Sequence, residues 1–184
     1  MSRPAAAYTP TAIALHWLVG LGLLGTLALG FYMHDLPLSP QKLQLYSWHK
    51  WAGVSLFLLA LIRVLWRVSH RPPAPPIGMP RWQVLAAESV HGLLYLLMFA
   101  IPLSGWLMSS AKGFQTVWFG VLPLPDLIGK DAELGKTLQQ LHFSLNVLLL
   151  ALVASHVGAA LKHHLLDRDD VLARMAPWLR GQGH

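Results

Sequence analysis

Four long apolar runs, separated by stretches in which the charged residues and prolines collect, set the pattern of this chain. They cover Ile13 to Met33, about His49 to Trp66, about Val90 to Ser109 and about Leu141 to Leu161. Each is about the length that crosses a hydrocarbon core, about 20 residues of helix. The runs are too long for barrel strands and lack their alternation, and only helices or closed barrels satisfy their backbone in lipid. The pattern predicts an all-α integral membrane protein, a four-helix transmembrane bundle, with helices over about 11–33, 49–68, 88–110 and 139–164 in a single domain of residues 1–184. Pro102 falls inside the third helix, where neighbouring helices can cover the freed carbonyl. No small-residue cleavage site follows a short apolar core in the first run, so it reads as a retained helix.

Composition sharpens this reading. The 184 residues are 54% hydrophobic and only 12% charged, with a mean hydropathy of +0.47, well outside the range of a soluble globule. The net charge of +6 is not gathered into a basic run interleaved with aromatics, so nucleic acid is not an expected partner. It reports orientation instead. Arg3, Arg63, Arg67, Arg71, Arg81, Lys162, Arg168, Arg174 and Arg180 fall on one side, whereas the other carries five lysines, Lys42, Lys50, Lys112, Lys130 and Lys136, against four carboxylates. By the positive-inside rule both termini are cytoplasmic. The segment Arg71 to Arg81, RPPAPPIGMPR, reads as an extended, semi-rigid spacer without identifiable chemistry. The stretch from about Ala111 to Gln140 reads as the longest outside loop, lying at the membrane interface as a lid over that end of the bundle.

Candidate chemistry enters with histidine. The chain has ten histidines and no cysteine, which removes disulfides, thiolate metal sites, iron–sulfur clusters and covalently attached haem. His16, His49, His91, His142 and His156 all lie within or at the ends of the apolar runs, where an ionisable group is a functional candidate by default. His142 and His156 are 14 residues apart, which returns them to within about 40° of one helix face at levels about 21 Å apart. His49 can meet the outer member of this pair and His16 the inner one, giving two stacked bis-histidine sites. Facing imidazoles without a carboxylate or thiolate beside them suit an iron porphyrin better than zinc or copper. Two haems b are therefore expected, with His16, His49, His142 and His156 as the metal ligands. Gly20 and Gly53, one turn after His16 and His49, leave room for a flat macrocycle. Gly22 and Gly25 read as packing residues.

The inner level has three histidines for two axial positions, and spacing alone does not decide among them. Helix four already supplies the outer site from the same face, which favours His16 with His156. His91 would then bond a propionate or a quinone, with Glu88 one turn away. Arg67 and Arg71 can pair with haem propionates, although orientation explains them equally well.

The ordered set of AIALHWLV around His16, WHKWAG around His49, VHGLLYLLMFAIPLSGW around His91, LHFSLNVLLLALVASHVGAALKHH in helix four and the tail RDDVLARMAP resembles the bacterial cytochrome b561 family of four-helix dihaem membrane proteins. The resemblance spans almost the whole chain. It implies axial ligation at His16, His49, His142 and His156, a place in the bacterial inner membrane, and electron transfer through two haems. It also implies a superoxide oxidase-like activity, in which periplasmic superoxide is oxidised and ubiquinone reduced. The competing expectation is a membrane-anchoring cytochrome b subunit that passes electrons between a quinone and a partner redox protein. The family's KHH motif puts Lys162, His163 and His164 at the cytoplasmic headgroup level, where a quinone can bind. His163 is the best candidate, since it lies 7 residues from His156 and within about 20° of the same face. Two histidines per iron leave no open coordination position, which points to outer-sphere transfer. Lys50, beside His49, with Lys42 or Lys112, would draw a small anion to the outer mouth.

Overall fold

The computed structural model describes residues 7–76 and 78–179, so Arg3 and Arg180 lie outside the described residues. Four helices carry the chain: α1 Pro10–His34, α2 Pro40–Ser69, α3 Arg81–Ala111 and α4 Ala132–Lys162. All four are long and apolar enough to cross a membrane. Many large apolar side chains on them face outward, among them Leu61, Leu65, Leu96 and Leu148, the arrangement that lipid rather than water rewards.

Local capping chemistry fixes where the helices begin. Thr9 accepts the Ala12 N–H at 3.2 Å, Ser39 accepts that of Lys42 at 3.2 Å, and Asp131 accepts those of Glu133 and Leu134 at 3.0 Å. Pro10 and Pro40 follow their caps at the first helical position, where a missing N–H costs nothing. α2 and α4 therefore start roughly two turns before the apolar runs do, and so does α3, which follows Pro80 without a side-chain cap. Those first turns are polar enough to stand outside the hydrocarbon, which is why hydropathy alone places their starts late.

α3 packs most extensively on α4, and α1 on α2, with α2 joined to α3. Two buried clusters sit along the chain between the histidine positions: Val19, Ala60 and Met98 form one, and Leu97, Ile101 and Leu149 the other. Gly22 lets α1 approach α2, because a Cβ there would lie 2.6 Å from Leu56 Cδ2. A Cβ on Gly25 would meet nothing within 4 Å.

The outer connection is shorter and more ordered than its composition suggests. It carries a small antiparallel hairpin, β1 Val117–Trp118 and β2 Leu122–Pro123, paired Val117 to Pro123 and Trp118 to Leu122. Its turn uses left-handed backbone at Phe119 and Gly120. Trp51 Nε1 donates to the Val117 carbonyl at 2.7 Å and Trp118 Nε1 to Ser55 Oγ at 3.3 Å, which pins the hairpin against α2.

At the opposite end α4 runs into a π-helical turn, His163–Asp167, closed by left-handed Arg168. The chain then folds back: Trp17 Nε1 donates to the Met175 carbonyl at 2.8 Å, and Arg174 donates to the Ala74 carbonyl at 2.6 Å.

Candidate haem sites

Helix register brings the intramembrane histidines together in two groups. In the outer group, His49 of α2 faces His142 of α4 with ring centroids 6.3 Å apart and planes at 79°. Glycines from the other two helices press on these rings. A Cβ at Gly30 of α1 would lie 3.2 Å from His49 Cε1, and one at Gly105 of α3 would lie 3.1 Å from His142 Cε1. His142 Nδ1 lies 3.0 Å from Ser104 Oγ and 3.1 Å from the Ile101 carbonyl. His49 Nδ1 is buried without a hydrogen-bond partner.

In the inner group, His16 of α1 and His156 of α4 have centroids 6.1 Å apart, with planes at 57°. His91 of α3 closes on His156 at 5.2 Å. Arg63 links this level to α2 and α3: its Nη2 donates to His16 Nδ1 at 3.0 Å and its Nε to the Tyr95 hydroxyl at 3.0 Å. Arg67 lies over the Tyr95 ring at 5.8 Å. Arg63, Arg67, Arg71, His70 and Tyr95 line a cavity of about 60 Å³. Glu88 is exposed and makes no hydrogen bond or ion pair among the described residues.

The fit to haem can be tested on this geometry. A metal held between two imidazoles by bonds of about 2 Å sets their ring centroids about 6 Å apart. The His49–His142 and His16–His156 pairs both meet that requirement, and the His91–His156 approach is too short for it. A Cβ at Gly20 or Gly53 would meet nothing within 4 Å, so the helix surface one turn from His16 and from His49 is open there. The donor set fits an iron porphyrin. One adjustment is required at the inner level. A guanidinium only donates, so His16 Nδ1 accepts and its proton sits on Nε2; ligation through Nε2 needs Arg63 to release that nitrogen.

The remaining candidates lie at the two ends. Lys50 adjoins His49 in sequence, but its Nζ donates to the Phe114 carbonyl at 3.0 Å in the outer loop. Lys42 donates to the carbonyls of His34, the last residue of α1, and Leu36, just after it, at 3.1 and 2.5 Å. Lys112 bonds Gln139, and partial burial draws its ammonium below the ordinary lysine value. His163 stands apart from the inner imidazoles, in the π-helical turn. Its Nδ1 lies 2.6 Å from Asp169 Oδ2 and 3.3 Å from Asp167 Oδ2, while Lys162 binds both Asp167 oxygens at 2.6 and 2.8 Å. His163 and Asp169 border a cavity of about 290 Å³ whose far wall is Pro76, Met79, Pro80 and Gln83. The proline-rich spacer thus lies against the turn that carries His163. Ser104, Gly105 and Asp169 are the residues that sequence reasoning missed; Gly105 alone carried a visible signal, as a small residue in an apolar run, as Gly30 does in the first.

Four apolar helices carrying paired imidazoles at two levels define a multi-pass membrane cytochrome of the b type. Comparison with known proteins agrees: the prokaryotic cytochrome b561 profile matches residues 7–178. The chain is 37% identical to cytochrome b561 homolog 2 of Escherichia coli over 91% of this chain and 90% of the relative. It is 30% identical to cytochrome b561 homolog 1 of the same organism, over 92% and 97%. A probable superoxide oxidase, CybB, of Yersinia pestis is 29% identical over 95% and 98%. The chain belongs to the prokaryotic cytochrome b561 family, whose members bind haem b and transfer electrons across the membrane.

Proposed function

We propose that this chain holds two haems b, ligated by His49 with His142 and by His16 with His156, and uses them to oxidise superoxide at the outer face and reduce ubiquinone at the cytoplasmic face. The observation that carries the reading is the pair of imidazole couples at opposite ends of one bundle, 6.3 and 6.1 Å between centroids. When bound, the haems supply one-electron carriers at two depths. His49 with His142 and His16 with His156 would hold the metals from both sides and keep substrate off them, so the chemistry they would supply is outer-sphere electron transfer. The likeness to a probable superoxide oxidase supports the donor assignment.

The protein's own groups do the rest. Lys50, with Lys42 and Lys112, gives the outer mouth a positive field that concentrates a small anion. Arg67 and Arg71 offer counter-charge to propionates on the inner side, and Arg63 joins them once it leaves His16. His91, too close to His156 for a metal between them, serves as a hydrogen-bonding neighbour of the inner site. His163 binds a quinone carbonyl and passes it a proton, with Asp169 orienting the imidazole. Two superoxide ions, one quinone and two cytoplasmic protons give two dioxygen molecules and one quinol. The arginine-rich side faces the cytoplasm of a bacterial inner membrane, with both termini inside.

An optical and EPR redox titration of the wild type, with His16, His91 and His156 variants, tests the ligands. Two low-spin haems are expected, the inner one lost with His16 or His156 and kept with His91. A His91 variant that loses this haem while the His156 variant keeps it refutes the assignment. Stopped-flow mixing of oxidised protein with superoxide tests the donor: haem reduction no faster than spontaneous dismutation allows removes superoxide from the scheme.

A further inference from the structure

The three imidazoles whose Nδ1 environments are described in the two pairs differ sharply. His16 Nδ1 faces a guanidinium, His49 has the Thr26 backbone as its polar neighbour, and His142 Nδ1 sits within 3.1 Å of two oxygens, one of them a side-chain hydroxyl. Those oxygens belong to one turn of α3, beside Pro102. Ser104, 4% exposed, donates its hydroxyl proton to the Ile101 carbonyl at 2.8 Å. That proton is then spent, and toward His142 Nδ1 at 3.0 Å the hydroxyl can only accept. The Ile101 carbonyl, 3.1 Å from the same nitrogen, has nothing to donate either. Facing two acceptors, Nδ1 must carry the proton, which leaves the lone pair of a neutral imidazole on Nε2.

We propose that Ser104 is a positioning residue that locks His142 in its Nδ1–H tautomer and strengthens it as the outer iron ligand. This rests on the ligation by His142 proposed above. Gly105 completes the clamp, since its bare Cα lets the ring sit where a Cβ would be 3.1 Å from Cε1. The ring is thus held on one edge by oxygens and on another by the helix backbone. A ligand whose second nitrogen donates to oxygen is more basic and stabilises oxidised iron over reduced iron. Ser104 therefore holds the outer haem at a lower potential than an unsupported histidine would. The inner level, with Arg63, Arg67 and Arg71 nearby, favours the extra electron. The two ends are graded so that electrons entering outside run inward.

The test compares Ser104→Ala, Ser104→Val and Ser104→Thr in the full-length, haem-loaded protein. Thr and Val match in volume, so their difference isolates the hydroxyl. The readouts are the reduction potential and low-spin EPR signal of the outer haem, identified as the component altered by His49→Ala. The Ala and Val variants should raise that potential, change its signal and release haem to apomyoglobin about 10-fold or more faster, whereas Thr restores all three. Outright loss of the outer haem in Ala and Val, but not in Thr, would support the proposal equally. Two haems with unchanged or lowered outer potentials in Ala and Val overturn it and leave the dihaem reading intact. A wild type without b-type haem overturns both.

Discussion

Gly105→Ala tests the fit of the outer site more directly than removal of a ligand would. The added Cβ would stand 3.1 Å from His142 Cε1, 3.4 Å from Nδ1 and 3.9 Å from Nε2. Carbon atoms prefer about 3.5–4.0 Å, so the shortfall is about 0.4–0.9 Å. Overpacking of this kind costs about 1–3 kcal/mol, and the alanine returns about 1 kcal/mol of helix propensity. The net destabilisation is therefore small, about 0–2 kcal/mol. The geometric consequence is larger, because His142 can retreat only by stretching its contacts to Ser104 and Ile101, 3.0 and 3.1 Å long. Thermal unfolding in detergent should scarcely move, while the outer haem shows an altered EPR signal and reduced occupancy in the difference spectrum. Gly30→Ala makes a similar approach to His49, 3.2 Å to Cε1. Among the described residues that ring has no side-chain partner comparable to Ser104 and only the Thr26 backbone beside it, so it yields more easily and the effect is weaker. Wild-type spectra for Gly105→Ala, or a larger effect at Gly30, would refute the reasoning.

Four further outcomes follow from the same geometry. Arg63→Gln removes a cation from the inner level; at an effective dielectric near 20 and about 10 Å this is about 1–2 kcal/mol, or on the order of 50 mV for one electron. The inner haem potential should fall by that amount in a redox titration, and an unmoved potential would count against the electrostatic grading. Asp169→Asn takes the charged partner from His163 Nδ1 and should slow quinol formation about 10-fold, the loss of about 1.4 kcal/mol from one charge-assisted bond, with haem reduction from the outer side unchanged. If both rates stay at wild type, the dyad has no part in quinone chemistry. Gly22→Ala drives a methyl to 2.6 Å from Leu56 Cδ2; less the helix propensity regained, this should cost about 0–2 kcal/mol, read as a lower midpoint of thermal unfolding. Trp51→Phe deletes the bond to the Val117 carbonyl, worth about 1 kcal/mol, and should speed amide exchange in the outer hairpin without altering either haem.

Much of this was legible in the chain because two signals are hard to produce by accident. Hydropathy demanded four membrane helices, and imidazoles inside such runs, 14 residues apart on one helix, fixed two levels by helical geometry alone. The starts of α2, α3 and α4 were lost to hydropathy; those of α2 and α4 stood in the capping residues, Ser39 with Pro40 and Asp131 before Glu133, whereas α3 begins after Pro80 without a side-chain cap. What could not be read were contacts set by the register between helices. Nothing in IPLSGW says that Ser104 and Gly105 abut a histidine 37 or 38 positions away. Nor does the tail reveal that a π-helical turn and a left-handed Arg168 swing Asp169 back onto His163. The outer hairpin escaped for a similar reason: each strand is two residues long, too short to carry an alternation.

The inner level presses this lesson furthest. Positive-inside counting explains Arg63, Arg67 and Arg71 as a group and so hides the difference among them. Arg63 sits one turn deeper, bonded to His16 and Tyr95 rather than exposed at the surface. A half-buried guanidinium on a neutral imidazole, with no carboxylate bonded to it among the described residues, leaves a charge poorly compensated, a costly state inside a membrane protein. A cofactor that brings its own carboxylates removes that cost and frees His16 Nδ1 in one step. Arg63 is then best understood as held in waiting on His16. Binding of the inner haem should be coupled to its rotation toward the cavity it shares with Arg67 and Arg71.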